Sequence, residues 1–130
     1  MKIYSLGLDY GTNSCRSVIL DLSNGREVAG HVFNYPSGEQ GILLDPRDPN
    51  CARHNPQDYI DGLKGVVAKA LTQAKKNDRQ FSASLIIGIG VDTTGSTPLP
   101  VDRAGTPLAF NPKFRKNLNA MAWLWKDHTG

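Results

Sequence analysis

Two apolar runs meet at a polar turn between Leu6 and Leu20, and this stretch constrains the fold more than any other. Leu6-Gly7-Leu8 leads in, Asp9-Tyr10-Gly11-Thr12-Asn13-Ser14-Cys15-Arg16 carries the turn, and Ser17-Val18-Ile19-Leu20 leads out. Apolar runs of strand length joined by so short a turn read as an antiparallel pair. The turn gathers a carboxylate (Asp9), two hydroxyls (Thr12, Ser14), a carboxamide (Asn13) and a guanidinium (Arg16). Backbone N–H groups of a tight turn form an anion-binding concavity. Gly11 has no side chain, so a ligand can come close to the backbone there. The hydroxyls, the amide and Arg16 add donors and fixed charge. Asp9 is the one group in the turn suited to holding Mg²⁺. The mixture therefore suits a nucleotide phosphate with its metal. Asp and Gly also serve ordinary hairpin turns for backbone reasons, and the turn alone leaves both readings open.

The rest of the chain supplies the setting. Residues 2–9 read as the first strand, with small and apolar residues that suggest burial on both faces, and residues 15–22 as its antiparallel partner. Ser23-Asn24-Gly25 is a strong hairpin signal, and a third strand from Glu27 to Tyr35 completes a meander. From Pro36 to Asn55 prolines and glycines recur, and the stretch reads as a long loop with Ile42-Leu43-Leu44 packed down. Asn55 as cap, Pro56 at the first helical position and Asp58 in the first turn open a helix that ends near Lys75-Lys76-Asn77. Tyr59, Leu63, Val66, Val67, Ala70, Leu71 and Ala74 form its apolar face. Ser84 to Val91 reads as a buried strand, reached by a crossover onto the same sheet. It ends in Asp92-Thr93-Thr94-Gly95-Ser96-Thr97, polar residues where a chain leaves a sheet and ligands bind. Two short strands around a turn are expected at 101–108. A tryptophan-containing stretch from Leu118 to Gly130 shows no clear final element.

Composition excludes several classes. With 130 residues there is room for one domain at most. The net charge of +3 is mild, and the basic cluster Lys113, Arg115, Lys116 is short with only Phe114 within it, so it reads as a solvated loop rather than a nucleic-acid surface. Two cysteines, Cys15 and Cys51, lack metal spacing and suit a reduced, cytoplasmic protein. The N-terminus enters a strand at once, so no signal peptide is expected, and no apolar run approaches the ~20 residues of a membrane span. There is no Walker loop, and Gly88-Ile89-Gly90 lacks the third glycine of a dinucleotide fingerprint. His31, His54 and His128 are scattered, and the sequence assigns none a catalytic role.

Three segments together carry a resemblance. They are Asp9 to Arg16, Gly88 to Asp102, and Ala122-Trp123-Leu124-Trp125-Lys126-Asp127-His128-Thr129. The first matches the phosphate-hairpin pattern Asp-x-Gly-Thr-x-Ser-x-Arg of the actin-like ATPases and sugar kinases at all its fixed positions. From residue 2 to residue 130 the chain resembles the N-terminal part of the FGGY family of carbohydrate kinases, and within it the L-ribulokinases. The resemblance implies an α/β, ribonuclease H-like (actin-like ATPase) domain, with a three-strand meander followed by a helix crossover to a parallel strand. It implies that residues 1–130 are the truncated N-terminal part of the first kinase domain, the second domain being absent.

The activity it implies is transfer of the γ-phosphoryl of ATP, with Mg²⁺, to L-ribulose, giving L-ribulose 5-phosphate in arabinose use. By position, Gly11, Thr12, Asn13, Ser14 and Arg16 would contact the nucleotide and Asp9 would organise Mg²⁺. Glycerol kinase relatives carry an Arg-Glu pair where this chain has Gly95 and Ser96, so backbone groups are expected to face the sugar there. Trp125 and Asp127 match a Trp-x-Asp segment that walls the sugar pocket, with His128 in place of its usual arginine. The family's catalytic base and adenine site lie beyond residue 130, so the fragment alone is expected to be inactive. Its expected partners are the sugar and the remainder of the kinase, with no nucleic acid or membrane. Apolar surface meant for that remainder makes self-association an expectation. A non-catalytic sugar- or nucleotide-binding module of the same fold is the alternative. A chaperone- or filament-type ATPase fits the Asp9 hairpin but not the Trp-x-Trp-Lys-Asp-His segment.

Overall fold

The computed structural model describes residues 2–130. Its main sheet has the order β3-β2-β1-β6, from β1 (Tyr4–Tyr10), β2 (Ser14–Asp21), β3 (Arg26–Asn34) and β6 (Ile86–Thr93). The first three strands form the expected antiparallel meander, and β6 pairs parallel to β1. Parallel pairing requires a crossover, and the helix α1 (Pro56–Asn77) lies within it. Along β1 burial alternates: Tyr4, Leu6 and Leu8 are buried, while Ser5, Gly7 and Asp9 are half-buried on the other face. The expectation of burial on both faces is corrected accordingly, because α1 covers one face only.

The signals read at the start of α1 operate as expected. Asn55 Oδ1 accepts the Gln57 N–H at 3.0 Å, Pro56 opens the helix, and Asp58 lies in the first turn. Asp58 is buried and accepts the Ser37 N–H and hydroxyl. Val66, Ala70 and Ala74 pack on Tyr4, Leu6, Leu8, Cys15 and Ile19, with Tyr59, Val67 and Leu71 at the margin. Leu63 is exposed, contrary to expectation, and Gly62 takes the buried position in its place. The helix sits too close to the sheet for a larger residue. A Cβ on Gly62 would lie 3.0 Å from Cys15 Cβ, and one on Gly65 the same distance from the Phe33 ring.

The strand β6 differs from its reading as a buried strand. Ile87, Ile89 and Val91 are 65%, 65% and 61% exposed. The physical reason is placement: α1 packs over β2 and β3, and β6 lies at the sheet edge beyond its reach.

The stretch read as a long loop contains a second sheet. In it β4 (Leu43–Asp45) pairs antiparallel with β5 (Asp48–His54), which pairs antiparallel with β7 (Ala122–Trp123). Ile42, Ala52 and Leu124 are its core. Residues 101–108 make a single bridge, Val101 to Pro107, around a turn at Asp102–Thr106 rather than two strands. Short 3₁₀ turns at Leu108–Phe110 and Leu118–Ala120 precede β7. Among the described residues no helix is long and apolar enough to cross a membrane.

The end of α1 is tied to the start of β1 by charge. Asp78 Oδ2 accepts from Lys2 Nζ at 2.7 Å and from Tyr4 Oη at 2.9 Å, and Lys2 also lies 3.3 Å from Asp21. The Lys2 hydrogen bond holds the Asp78 carboxyl down at about 2, from its usual 3.8. A carboxylate whose folded pKa is depressed stabilises the fold above its unfolded pKa and loses that contribution as pH falls. The fold should therefore lose stability between pH 4 and pH 2. Melting curves should show a steeper fall across this window for the native chain than for Asp78→Asn, which has no carboxyl there to titrate.

Candidate functional site

The β1–β2 hairpin places its tip, Gly11 to Asn13, at the C-terminal end of β1. The Gly11 N–H is spent inside the turn on the Ser14 carbonyl at 2.9 Å. Among the described residues the N–H groups of Thr12 and Asn13 donate to nothing within the chain, and the turn is half-exposed at Thr12 and exposed at Asn13. The Asn13 carbonyl accepts the Tyr35 N–H at 3.0 Å, and its side-chain amide donates to the Gln40 carbonyl at 2.7 Å. Asn13 therefore offers a ligand its backbone rather than its carboxamide, and Ser14 is buried. Of the expected phosphate contacts, Thr12 and the exposed Arg16 keep reachable side chains.

Register places charge beside this tip. Asp9 pairs across the sheet with Arg16 on β2 and with Asp92 on β6, so all three share one face, opposite α1. Arg16 Nη1 lies 3.9 Å from Asp9 Oδ2, and both side chains are open to solvent. The sequence placed Asp92 in a polar segment suited to ligands but gave it no part beside Asp9, because only the parallel register brings the two together. Two hard oxygen donors on neighbouring strands, with Asp9 only loosely and openly paired to Arg16, suit Mg²⁺, which is held by one or two carboxylates together with phosphate oxygens.

The polar end of β6 folds over the same corner. The Thr94 N–H donates to the Tyr10 carbonyl at 2.8 Å, and the Thr94 and Thr97 hydroxyls lie 3.1 Å apart. Tyr10, Tyr59, Thr93, Thr94, Thr97 and Leu99 line a cavity of about 280 Å³ on the α1 side. Gly95 is exposed, and a Cβ built there would meet nothing within 4 Å. Ser96 follows at φ 52°, a left-handed conformation that costs a non-glycine residue.

Trp125 completes the corner. The residue is 56% exposed, and its Nε1 donates to Thr12 Oγ1 at 3.1 Å. Backbone bonds to distant residues hold this segment: the Trp123 N–H donates to the Pro98 carbonyl, the Leu124 N–H to that of Ala52 and the His128 N–H to that of Asn50.

Asp127 departs from its expected place on the sugar. Its side chain is only 3% exposed, and Arg53 Nε lies 2.8 Å from its Oδ2 as an ion pair. Oδ2 also accepts the Ala52 N–H, and Oδ1 accepts the Thr129 N–H and hydroxyl. Burial alone would raise its pKa, but the Thr129 and Ala52 bonds and the Arg53 charge hold it below the usual value. Arg53, 2% exposed, stacks with its guanidinium carbon 3.4 Å from the Trp123 ring centroid. In this chain Asp127 secures the tryptophan segment to β5. Nothing in the sequence pointed to Arg53 as its partner, 74 positions away. Asp127→Asn keeps the shape but leaves a buried guanidinium uncompensated. It should lower the unfolding free energy by about 3 kcal/mol, read by urea titration of the chain.

Residues 4–120 match the FGGY family of carbohydrate kinases, N-terminal domain. The ribulokinase of Vibrio parahaemolyticus is 43% identical over 95% of this chain and 21% of its own length. That of Shouchella clausii is 42% identical over 98% and 23%. The chain thus spans about a fifth of the length of the curated relatives it matches. Among solved structures, a glycerol kinase of Plasmodium falciparum with ADP superposes with TM-score 0.72 at 19% identity, over 98% of this chain and 21% of that one. A xylulose kinase of Rhodospirillum rubrum gives 0.68 at 20%, over 96% and 21%. These structural likenesses bear out the expected actin-like fold. With the family match over 4–120 they lead to one conclusion: the chain belongs to the FGGY family of carbohydrate kinases and carries the sequence of its N-terminal domain.

Proposed function

We propose that residues 1–130 form the N-terminal part of the first domain of a cytoplasmic, ATP-dependent ribulokinase. The complete protein would phosphorylate L-ribulose to L-ribulose 5-phosphate in L-arabinose catabolism. The observation that carries this reading is the hydrogen bond between Trp125 and Thr12. It joins an exposed aromatic wall to an open phosphate-type turn, so sugar and nucleotide groups have one corner to share. The names of the ribulokinase relatives support ribulose as the sugar.

Each residue then has a stated task. The free N–H groups of Thr12 and Asn13 and the Arg16 guanidinium receive phosphate oxygens. Catalysis of phosphoryl transfer is mostly positioning and charge stabilisation, which fixed N–H groups and a guanidinium provide. Asp9, with Asp92 beside it, would hold Mg²⁺, which when bound offsets negative charge on the transferring phosphates. Gly95 and Ser96 present backbone to the sugar, and Trp125 offers an apolar face with one polar edge. The buried, free Cys15 and Cys51 suit a reducing compartment.

Asp9 is half-exposed and makes no hydrogen bond within the turn among the described residues, so its charge rather than its shape is its use. In the full-length kinase Asp9→Asn should lower kcat by ~100-fold, about 3 kcal/mol of transition-state stabilisation. Melting temperature and L-ribulose affinity should be unchanged, and near-normal kcat would return Asp9 to a structural role. Gly95→Val meets open space among the described residues, so this part of the fold has room for the side chain. It should raise the KM for L-ribulose at least tenfold and leave that for ATP within about twofold. Equal effects on both would confine Gly95 to the turn.

A further inference from the structure

His54 lies at the end of β5, one residue before the helix cap, and is 1% exposed. Its Nε2 lies 2.8 Å from the Thr12 carbonyl oxygen, and its Nδ1 lies 2.6 Å from the Tyr59 hydroxyl. A carbonyl only accepts, so Nε2 carries the proton. Nδ1 of the neutral ring then accepts from Tyr59. Tyr59 is fixed by the first turn of α1, and Tyr35 packs edge-on against both rings at centroid distances of 5.6 and 5.8 Å. Burial pushes the imidazole toward its neutral form, which this pattern requires.

Thr12 is thereby gripped from two sides: its carbonyl by His54 and its hydroxyl by Trp125. Fixing the Thr12 carbonyl fixes the peptide plane that carries the Asn13 N–H, one of the two free donors of the turn. We infer that His54 is a positioning residue for nucleotide binding, orienting the hairpin tip through the Thr12 carbonyl while touching no substrate itself. This rests on the reading of the hairpin as the phosphate contact.

The test uses the full-length kinase and two isosteres. In His54→Gln the side-chain amide can occupy the Nε2 position and still donate to Thr12. In His54→Asn it reaches only the Nδ1 position and leaves Thr12 unpaired. His54→Asn should raise the KM for ATP at least tenfold with the KM for sugar within twofold, and His54→Gln should recover to within threefold of the parent. Arg16→Ala, measured alongside, tests the hairpin reading separately. If Arg16→Ala weakens ATP binding and His54→Asn does not, the inference falls and the hairpin reading stands. If neither changes the KM for ATP, both fall. Equal losses in the Asn and Gln variants that track their melting temperatures would make His54 a packing residue and overturn the inference. Should His54→Asn fail to fold, Tyr59→Phe takes its place, since it removes only the hydroxyl that fixes the tautomer. It should raise the KM for ATP at least threefold, and an unchanged value overturns the inference.

Discussion

The structure depends on β1 having a different kind of neighbour on each side. On one side β2 returns antiparallel through a tight turn; on the other β6 arrives parallel after a helical crossover. Antiparallel pairing puts Arg16 opposite Asp9, and parallel pairing puts Asp92 there. A slip of one residue in either ladder would turn these side chains to the opposite face. Burial of Tyr4, Leu6 and Leu8 under α1 specifies the register of β1, so the core contacts of alternate residues aim the polar ones.

The second sheet serves as a buttress. It reaches the hairpin through His54 and Trp125 and the end of β6 through the Trp123–Pro98 bond. Its rigidity comes from an ion pair and a cation–π stack at Arg53, in a region with only a small apolar core. A buried charge pair is a poor source of net stability but a strong constraint on geometry, because each partner is costly to leave alone. The tryptophan segment needs that constraint, since β7 is only two residues long.

Local chemistry made much of the molecule legible from sequence. The meander follows from apolar runs and Asn24-Gly25, and the helix from Asn55, Pro56 and its apolar spacing. These signals lie within a few residues of what they specify. The second sheet was hidden because β5, Asp-Pro-Asn-Cys-Ala-Arg-His, has no alternation and a proline, and its partner β7 lies some seventy residues on. The exposure of β6 was hidden because an apolar run reports strand length but not what covers it. In the site, residues whose roles are set by the turn were visible, as Thr12 and Arg16 show. Those set by tertiary contacts were not: Asn13 gave its amide to the Gln40 carbonyl, Asp127 proved committed to Arg53, and His54 stood unassigned.

The close approach of α1 to the sheet has a chemical consequence for the hairpin. Cys15 lies between Ser14 and Arg16 in sequence, yet the alternation along β2 keeps it off the face that carries the guanidinium. Instead it points beneath Gly62, fully shielded, and burial pushes its thiol up. Only the thiolate attacks oxidants and electrophiles. The glycine that lets the helix settle therefore also removes a redox handle from the strand that bears Arg16, and alkylating reagents or peroxide reach this position only when the helix lifts away.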